Sequence, residues 1–561
     1  MNNTDRKSEE DDYEKRLRRR LKILQEQLKE GKIKIKKGLS IEDSLLAVRY
    51  GPDGEIDLNT VDGTVRSMAL AIAAIHDREE MKKEISLNEI QKIYFSFVDN
   101  NFGEFYKEMI RRELTPHQVA LGLTRNNYFM DNIKEGFREF LEVITEFWNS
   151  VGEIAHIHVE DMRGNIKAVF GGDLFPAHDE NIASKCGIYT DTIVLPDPFL
   201  RSKHIFENNS YEDCIYYLVK HAMNILKYKD LASAEFETPI VVIIPDLSVL
   251  QESEKDFFRM LGRQDALIHA GKLFGRDFES FDELMDFGSS LDTIERAAAE
   301  IKDVSRFLFD TDWKGDIEAQ LKRALESKHY KPFITSPGIL LASQSFSRMS
   351  VSNELLIKSR QLNGTPIIDA PTSWQYLVWK MEYDAGRAEN ELNSQGLHII
   401  KGLGELASNE MQWLGNIPSH SLIELRKQGA MDEIRNILGD GINEIIQSNP
   451  QDFSKSKSQI LGNIDSAFKQ HKENISELTK KKWKFAGTDI GSWFVVGSLE
   501  VTAAITGTPV WGLTTIVANQ LLDVPKLKDI PKSIQHIVDE NNKVKKSPVG
   551  LLFNIKKKHP E

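Results

Sequence analysis

The stretch GEIAHIHVEDMRGNIKAVFGGDLFPAHDE (Gly152–Glu180), continued by CGIYTDTIVLPDPFL (Cys186–Leu200), decides the fold predicted for this chain. IAHIHVE and IKAVF have the composition of short strands, and DMRGN between them is typical of a hairpin turn. TDTIVLPDP predicts a third strand, which ends at its prolines because proline cannot donate to a β-ladder. A small β-sheet is therefore expected in the middle of the chain.

Helical patterns surround this predicted sheet. Tyr211 to Tyr228 predicts a crossover helix, and TPIVVIIPD (Thr238–Asp246) predicts a fourth strand that is central because it is apolar on both faces. SPGILLASQ (Ser336–Gln344) favours a further strand, and TPIIDAPTSW (Thr365–Trp374) fits either a strand or an extended linker. Strands separated by helices predict an α+β fold, mainly helical, with a small mixed β-sheet domain between helical regions.

Five segments are expected along the 561 residues. Residues 1–40 form a charged N-terminal helix or arm, and 41–150 a helical domain. Residues 151–375 form an α/β or α+β core, and 376–485 a second helical domain. Residues 486–561 comprise an apolar helical hairpin (Asp489–Leu522) and a basic tail. Each arm of the hairpin is shorter than the roughly 20 apolar residues of a spanning helix, so a buried hairpin is the main prediction and a membrane-inserting one the alternative.

Charge and cysteine content limit the class of protein. A net charge of −13 argues against nucleic-acid binding by the whole surface, although the local basic stretches Arg16–Lys37 and Lys480–Lys484 keep that partner open. Two cysteines cannot form a disulfide framework and fit a reducing compartment. The first sixteen residues lack the apolar core of a signal peptide. A bacterial, cytoplasmic protein is therefore expected.

The segment from Glu153 to His221 is the first place to look for a reaction centre. It holds five of the fourteen histidines and both cysteines. On a strand, His156, His158 and Glu160 would share one face, because side chains alternate with period two. Imidazole and carboxylate groups are suitable ligands for a divalent metal, so these three residues are the candidate metal ligands. As an alternative, the alternation marks a polar, solvent-facing side of the strand.

Two aspartates flank the apolar core of the third predicted strand and are the candidate catalytic residues. Asp191 precedes it and Asp197 follows it, and Asp246 ends the fourth strand in a similar way. Open sheets bind ligands beyond the carboxyl ends of their strands. As an alternative, the aspartate of Pro-Asp-Pro caps a backbone amide in a turn. His178, Asp179 and Glu180 form a second polar cluster.

Other motifs carry less weight. Cys186 and Cys214 lie too far apart for a zinc knuckle, and either a small buried residue or a nucleophile would explain Cys186. GLGELA (Gly402–Ala407) matches a dinucleotide-binding form but lies in helical sequence. TKKKWKF (Thr479–Phe485) mixes cations and aromatics. The chain lacks Walker A, HExxH and GxSxG motifs.

These features lead to three hypotheses. The first is a non-motor subunit or sensor of a bacterial defence-type (anti-phage) complex, which binds a protein or nucleic-acid partner or forms a homo-oligomer. The second is a metal-dependent nuclease or phosphodiesterase that uses His156, His158, Asp191 and Asp197. The third is a membrane-disrupting effector that acts through the C-terminal hairpin. The defence-type setting rests on analogy of architecture.

Overall fold

Four short apolar strands form the sheet of the computed structural model, which describes residues 3–35, 40–52, 54–172, 174–176, 181–250, 252–326, 336–384, 394–408, 411–480, 484–485 and 488–489. The strands are β1 (Lys167–Phe170), β2 (Thr192–Pro196), β3 (Val241–Ile244) and β4 (Thr365–Ile367). Their order is β3-β2-β1-β4, and every neighbouring pair is parallel. Every strand residue is buried, as expected when helices cover both faces of a sheet.

The chain divides into two compact units. Residues 1–90 and 151–161 form the first, and residues 91–150 and 162–561 the second. In the first unit, α1 and α3 pack through a core of Leu17, Leu21, Leu24, Val65 and Ala69. The helices that begin in residues 1–161 are α1 (Asn3–Lys29), α2 (Ser40–Ala47), α3 (Gly63–Glu84), α4 (Leu87–Arg111), α5 (Pro116–Thr124) and α6 (Asn127–Asp161), with a 3₁₀ helix at Leu58–Thr60.

In the second unit, helices connect the strands. Those between β1 and β4 are α7 (Ile182–Cys186), α8 (Pro198–Arg201), α9 (Lys203–Asn208), α10 (Tyr211–Leu226), α11 (Lys229–Ser233), α12 (Leu247–Leu250), α13 (Glu252–Phe274), α14 (Phe281–Ser290), α15 (Ile294–Glu300), α16 (Ile317–Glu326) and α17 (Pro337–Gln361), with a 3₁₀ helix at Val304–Arg306. Helix α17 packs on α13 and also against β1 and β4.

The rest of the described chain is almost entirely helical. It comprises α18 (Pro371–Asp384), α19 (Ser394–Ser408), α20 (Gln412–Gly415), α21 (Ser419–Lys427), α22 (Met431–Gly439), α23 (Ile442–Ser448), α24 (Phe453–Lys480) and the paired segments β5 (Lys484–Phe485) and β6 (Thr488–Asp489). Helix α19 packs against β4 and α24. The predicted apolar hairpin after Asp489 lies outside the described residues. Within the described ranges, no helix combines the length and apolarity needed to cross a bilayer.

The prediction of a mainly helical α+β fold is confirmed, with two local corrections. IAHIHVE is the end of helix α6 rather than a strand, so the predicted hairpin is wrong and the four-stranded sheet is parallel rather than mixed. SPGILLASQ is the start of helix α17, where Ser336 accepts a hydrogen bond from the Ile339 amide and proline occupies the first turn. TPIIDAPTSW combines strand β4 with the start of α18.

The strand order creates one reversal of direction. From β1 the chain adds β2 and β3 on one side, and β4 then pairs with β1 on the other. In open parallel sheets, ligands bind beyond the carboxyl ends of the strands next to such a reversal. Gly172 follows β1 with φ of 90°, and a Cβ there would lie 3.0 Å from Ile368, which follows β4. Glycine at this position therefore lets the two strand ends approach each other.

Candidate functional site

Helix α6 places His158 away from the other two predicted metal ligands. Residues two apart on an α-helix differ by about 200° around its axis, so His158 lies on the opposite side from His156 and Glu160, and the three cannot share one face as they would on a strand. His156 is buried, whereas His158 Nε2 donates to the Ile85 carbonyl oxygen at 2.9 Å. Glu160 pairs with Arg78 at 2.8 Å. The geometry on which the metal site was predicted is therefore wrong.

The second polar cluster, His178, Asp179 and Glu180, lies outside the described residues. The described part of the chain contains no group of three or more His, Cys, Asp or Glu side chains that could hold a metal ion. A divalent metal is thus not assigned to any described residue of the Glu153–His221 segment.

Asp191 binds two arginines from the C-terminal helices. Its Oδ1 lies 3.1 Å from Arg426 Nη1 and 2.5 Å from Arg435 Nη2, and its Oδ2 accepts from the Ile166 amide at 2.8 Å. Arg426 also donates to the Thr190 carbonyl, and burial lowers its pKa to about 10 against the opposing effect of Asp191. These contacts join α21 and α22 to the start of β2. The carboxylate of Asp191, predicted to be catalytic, therefore forms ion pairs and a hydrogen bond that link parts of the fold.

Asp197 is buried at the carboxyl end of β2. One oxygen accepts from the Leu200 amide at 2.8 Å, which caps α8, and the other accepts from Trp148 Nε1 at 2.8 Å. Burial raises the pKa of Asp197, although the hydrogen bonds from Leu200 and Trp148 oppose the shift. Asp197 therefore has the capping role that was the alternative for Pro-Asp-Pro. Its second carboxylate oxygen binds the indole of Trp148 on α6.

We call the residues that follow the four strands the carboxyl edge: Gly171, Asp197, Asp246 and Asp369. The most strongly charged part of this edge surrounds Asp246. Its Oδ1 lies 2.6 Å from Lys358 Nζ on α17, and its Oδ2 lies 2.7 Å from Arg201 Nε on α8. Burial alone would raise the pKa of Asp246, but the two cations hold it well below its usual range.

A second carboxyl group lies near this ion pair. Glu354, one turn before Lys358 on α17, accepts a hydrogen bond from Ser248 Oγ at 2.6 Å. Burial and the charge of Asp246 raise the pKa of Glu354. Two carboxyl groups whose pKa values move apart resemble an acid–base pair, but structural ion-pair networks produce the same effect. Since Asp246 and Lys358 are 3% and 4% exposed, their geometry fits a link between β3, α8 and α17.

A buried serine–histidine pair lies behind the same edge. Ser202 Oγ and His221 Nε2 are 2.8 Å apart, and both side chains are buried. His221 packs against the rings of Phe199 and Tyr217. Burial, reinforced by Lys220, lowers the pKa of His221 to about 3, so the imidazole stays neutral in the folded protein at physiological pH. Its Nδ1 has no hydrogen-bond partner among the described residues.

Cys186, Cys214 and the GLGELA motif lie in surroundings that differ from those of a typical reactive or cofactor site. Cys186 and Cys214 are buried, and burial raises the pKa of Cys186 to about 12, which keeps it a thiol. The GLGELA motif lies within α19 rather than at a strand-to-helix turn, so it lacks the context of a dinucleotide site.

Helix α1 presents a different kind of charge arrangement in the first unit. Residues 12–35 contain nine Lys or Arg and four Asp or Glu, in a chain of net charge −13. Arg18 and Arg19 pair with Glu55 and Asp77. We call Lys15, Lys22 and Lys29 the cationic face of α1: all three are exposed, and none forms an ion pair within the described residues.

The packing of α1 explains the position of this face. Leu17, Leu21 and Leu24 turn one side of the helix into the core. At 3.6 residues per turn, Lys15, Lys22 and Lys29 lie close to one line along the helix, about 10.5 Å apart, and more than 90° from the centre of the apolar stripe. They therefore face solvent in a row.

Comparison with known proteins gives no functional information. No protein-family model, no curated protein and no solved structure matches this chain. The candidate sites consequently rest on the geometry and charge described above.

Sequence reasoning missed the partners of Asp246. Lys358 lies 112 residues away along the chain, and no short motif links the two. One local signal was present: Arg201 follows Asp197 by four residues, directly after β2, and parallel neighbours bring that position next to the end of β3. Lys22 and Lys29 of the cationic face lie within the predicted basic stretch Arg16–Lys37, whereas Lys15 precedes it, and the sequence prediction did not name these lysines as a row.

Proposed function

We propose that this protein is a non-motor binding subunit that contacts the phosphate backbone of a nucleic acid through the cationic face of α1. The observation that supports the proposal is a row of three exposed lysines without ion pairs among the described residues, in a chain that is otherwise acidic. Membership of a bacterial defence-type complex remains part of the proposal and rests on architecture alone.

The spacing of the row suits a phosphate backbone. Lys15, Lys22 and Lys29 are separated by about 10.5 Å, which is roughly the axial rise of three base pairs at 3.4 Å each. Lysine binds phosphate as a point charge and needs no fixed orientation. Contacts of this type are independent of sequence and release condensed counterions, so binding weakens as salt rises.

The neighbouring charges limit where the nucleic acid lies. The acidic residues Glu9, Glu10, Asp11 and Asp12 precede the row, and Glu26 interrupts it. A phosphate backbone would therefore follow the C-terminal two thirds of α1 and turn away from its start. Weak, sequence-independent affinity in the micromolar range at low salt is expected from so few contacts.

The test is fluorescence anisotropy with a labelled 20-base-pair DNA duplex over a range of salt concentrations. The variant Lys15→Ala/Lys22→Ala/Lys29→Ala should lower the slope of log K against log salt by about 2.7, or about 0.9 for each phosphate that is no longer neutralised by a lysine. The matched control Lys322→Ala/Lys455→Ala/Lys469→Ala removes the same charge from exposed positions elsewhere. Equal slopes for the two triple variants would disprove the proposal.

The metal-dependent hydrolase is the less supported alternative. It would need Asp191 and Asp197 as metal or water ligands, but these carboxylates bind Arg426, Arg435 and the Trp148 indole. Elemental analysis of the purified protein is an independent check, since a stoichiometric transition metal would favour this alternative. The membrane-disrupting alternative depends on residues outside the described ranges and is tested by liposome leakage with the full chain.

A further inference from the structure

An aromatic cavity of about 250 Å³ opens between three helices of the second unit. Helices α4, α6 and α10 supply its walls. Five phenylalanines line it: Phe102, Phe105, Phe129, Phe137 and Phe140. Among the described residues, its lining contains no charged side chain. The cavity opens to solvent beside Asn101, Asn132 and Gly136, which are exposed. Its inner wall is formed by the buried rings of Phe102, Phe137 and Phe140.

The rings are held in place by one another. Phe105 and Phe129 meet edge to face at 5.5 Å between centroids, and Phe102 and Phe140 do so at 5.4 Å. Phe140 also packs edge to face on Phe199. Because these contacts fix the walls, the cavity presents ring faces and edges that favour a flat aromatic guest.

A glycine keeps one wall open. Gly136 lies in the interior of α6, where glycine is less favourable than alanine. A Cβ added there would meet no atom within 4 Å, so the residue is not required by a close approach of another element. Its position in the cavity lining means that any larger side chain would project into or across the space.

Two asparagines add a specific polar character to the lining. Asn101 Nδ2 donates to the Phe97 carbonyl at 2.8 Å, and Asn132 Nδ2 donates to the Tyr128 carbonyl at 2.7 Å. Both residues are exposed at the mouth of the cavity, and because each NH₂ group donates to its own helix, the amide oxygen of each is an acceptor with no hydrogen bond among the described residues. The cavity therefore combines an apolar, aromatic body with hydrogen-bond acceptors, which select a donor on the guest.

We infer that this cavity binds a small, uncharged, flat aromatic molecule that carries an N–H group. A cavity of about 150 Å³ holds benzene, so in proportion 250 Å³ accommodates roughly ten non-hydrogen atoms, the size of a fused bicyclic ring. The site is independent of the cationic face of α1, and its ligand has no phosphate.

The experiment uses indole as the probe, with benzofuran as its isostere that lacks the N–H group. Calorimetric titration of the full chain should show saturable indole binding, at least fivefold tighter than that of benzofuran. Gly136→Leu, which fills the space, should weaken indole binding at least tenfold. Gly122→Leu on α5 is the matched control, because Gly122 is also exposed, helical and open at its Cβ position, and it should leave binding unchanged.

Thermal melts check that each variant folds. Gly136→Ala provides a second variant if the leucine protein does not, and it should retain more than half of the indole affinity because it adds one methyl group only. Saturable binding that Gly136→Leu does not weaken would place indole elsewhere and overturn the inference. Absence of saturable binding by either probe would also overturn it.

Discussion

The carboxyl edge of the sheet and the cationic face of α1 differ in whether their charged side chains are buried and paired or exposed and, among the described residues, unpaired. Asp246 is 3% exposed and has two cations within 2.7 Å, whereas Lys15, Lys22 and Lys29 face solvent without ion pairs in the described residues. A buried charge must be compensated within the chain because water cannot do so. Charge at the edge of this sheet therefore stabilises the fold, and charge on α1 is available to a partner.

The largest expected effect tests the buried side of this comparison. Asp246→Asn leaves Arg201 and Lys358 without their carboxylate, and breaking a buried pair costs about 3–5 kcal/mol in the free energy of unfolding. Urea denaturation followed by circular dichroism measures it. The exposed control Asp465→Asn should change stability by less than about 0.5 kcal/mol. A destabilisation equal to that of the control would show that Asp246 has no structural role.

A smaller effect is expected at Asp191, which directly precedes β2. Asp191→Asn removes the charge that holds Arg426 and Arg435 and should lower the free energy of unfolding by about 1.5–3 kcal/mol, the value of hydrogen bonds to charged groups. The thermal midpoint should fall with it. An unchanged midpoint combined with loss of a hydrolytic activity would instead restore Asp191 as a catalytic residue.

The pH dependence of stability tests whether burial controls the neutral state of His221. The unfolded chain takes up a proton below the ordinary pKa of 6.5, whereas the folded His221 stays neutral down to about pH 3. Stability should therefore fall as pH falls through this window, by up to about 1.4 kcal/mol per pH unit from this group.

The variant that isolates this contribution is His221→Gln, measured by denaturation between pH 5 and 6.5. Its slope of stability against pH should be flatter than that of the unaltered chain. His420→Gln is the control, since His420 is exposed. This variant should have the same slope of stability against pH as the unaltered chain. Identical slopes for the two variants would contradict a buried, neutral His221.

The smallest effect is expected on α1. Lys15→Ala/Lys22→Ala/Lys29→Ala should change the free energy of unfolding by less than about 0.5 kcal/mol, because solvent-exposed charges without partners contribute little to stability. Urea denaturation of the triple lysine variant and of the Asp246→Asn variant, measured side by side, compares the two regions directly. A decrease of several kcal/mol would show that these lysines support the fold rather than a partner.

Much of the sheet could be predicted from the sequence because β1, β2 and β3 are apolar on both faces and bounded by Gly or Pro. The end of α6 could not be predicted, since the apolar positions of IAHIHVE fit both the two-residue period of a strand and the 3.6-residue period of a helix. The buried positions Ile144, Trp148, Ala155 and Val159 extend a helical period of four and seven residues into this stretch, and that longer pattern determines its structure.

The candidate sites also differ in whether local sequence or tertiary packing determines them. The cationic face of α1 depends on one amphipathic helix, so its lysines follow from helical periodicity once the packed side of the helix is known. The arginines that bind Asp191 and the lysine that binds Asp246 come from α21, α22 and α17, up to 244 residues away along the chain. Such pairings follow from tertiary packing and leave no pattern in a short window.

The pairing of β1 with β4 has a consequence for how the protein is made. Ala168 lies opposite Thr365, roughly 200 residues later, so β1 emerges from the ribosome long before its partner. At a synthesis rate of about 5–20 residues per second, one edge of β1 stays open for roughly 10–40 seconds. An unpaired apolar strand edge invites pairing with other chains. Slow elongation and high expression should therefore reduce the soluble yield, and chaperones that shield strand edges should restore it.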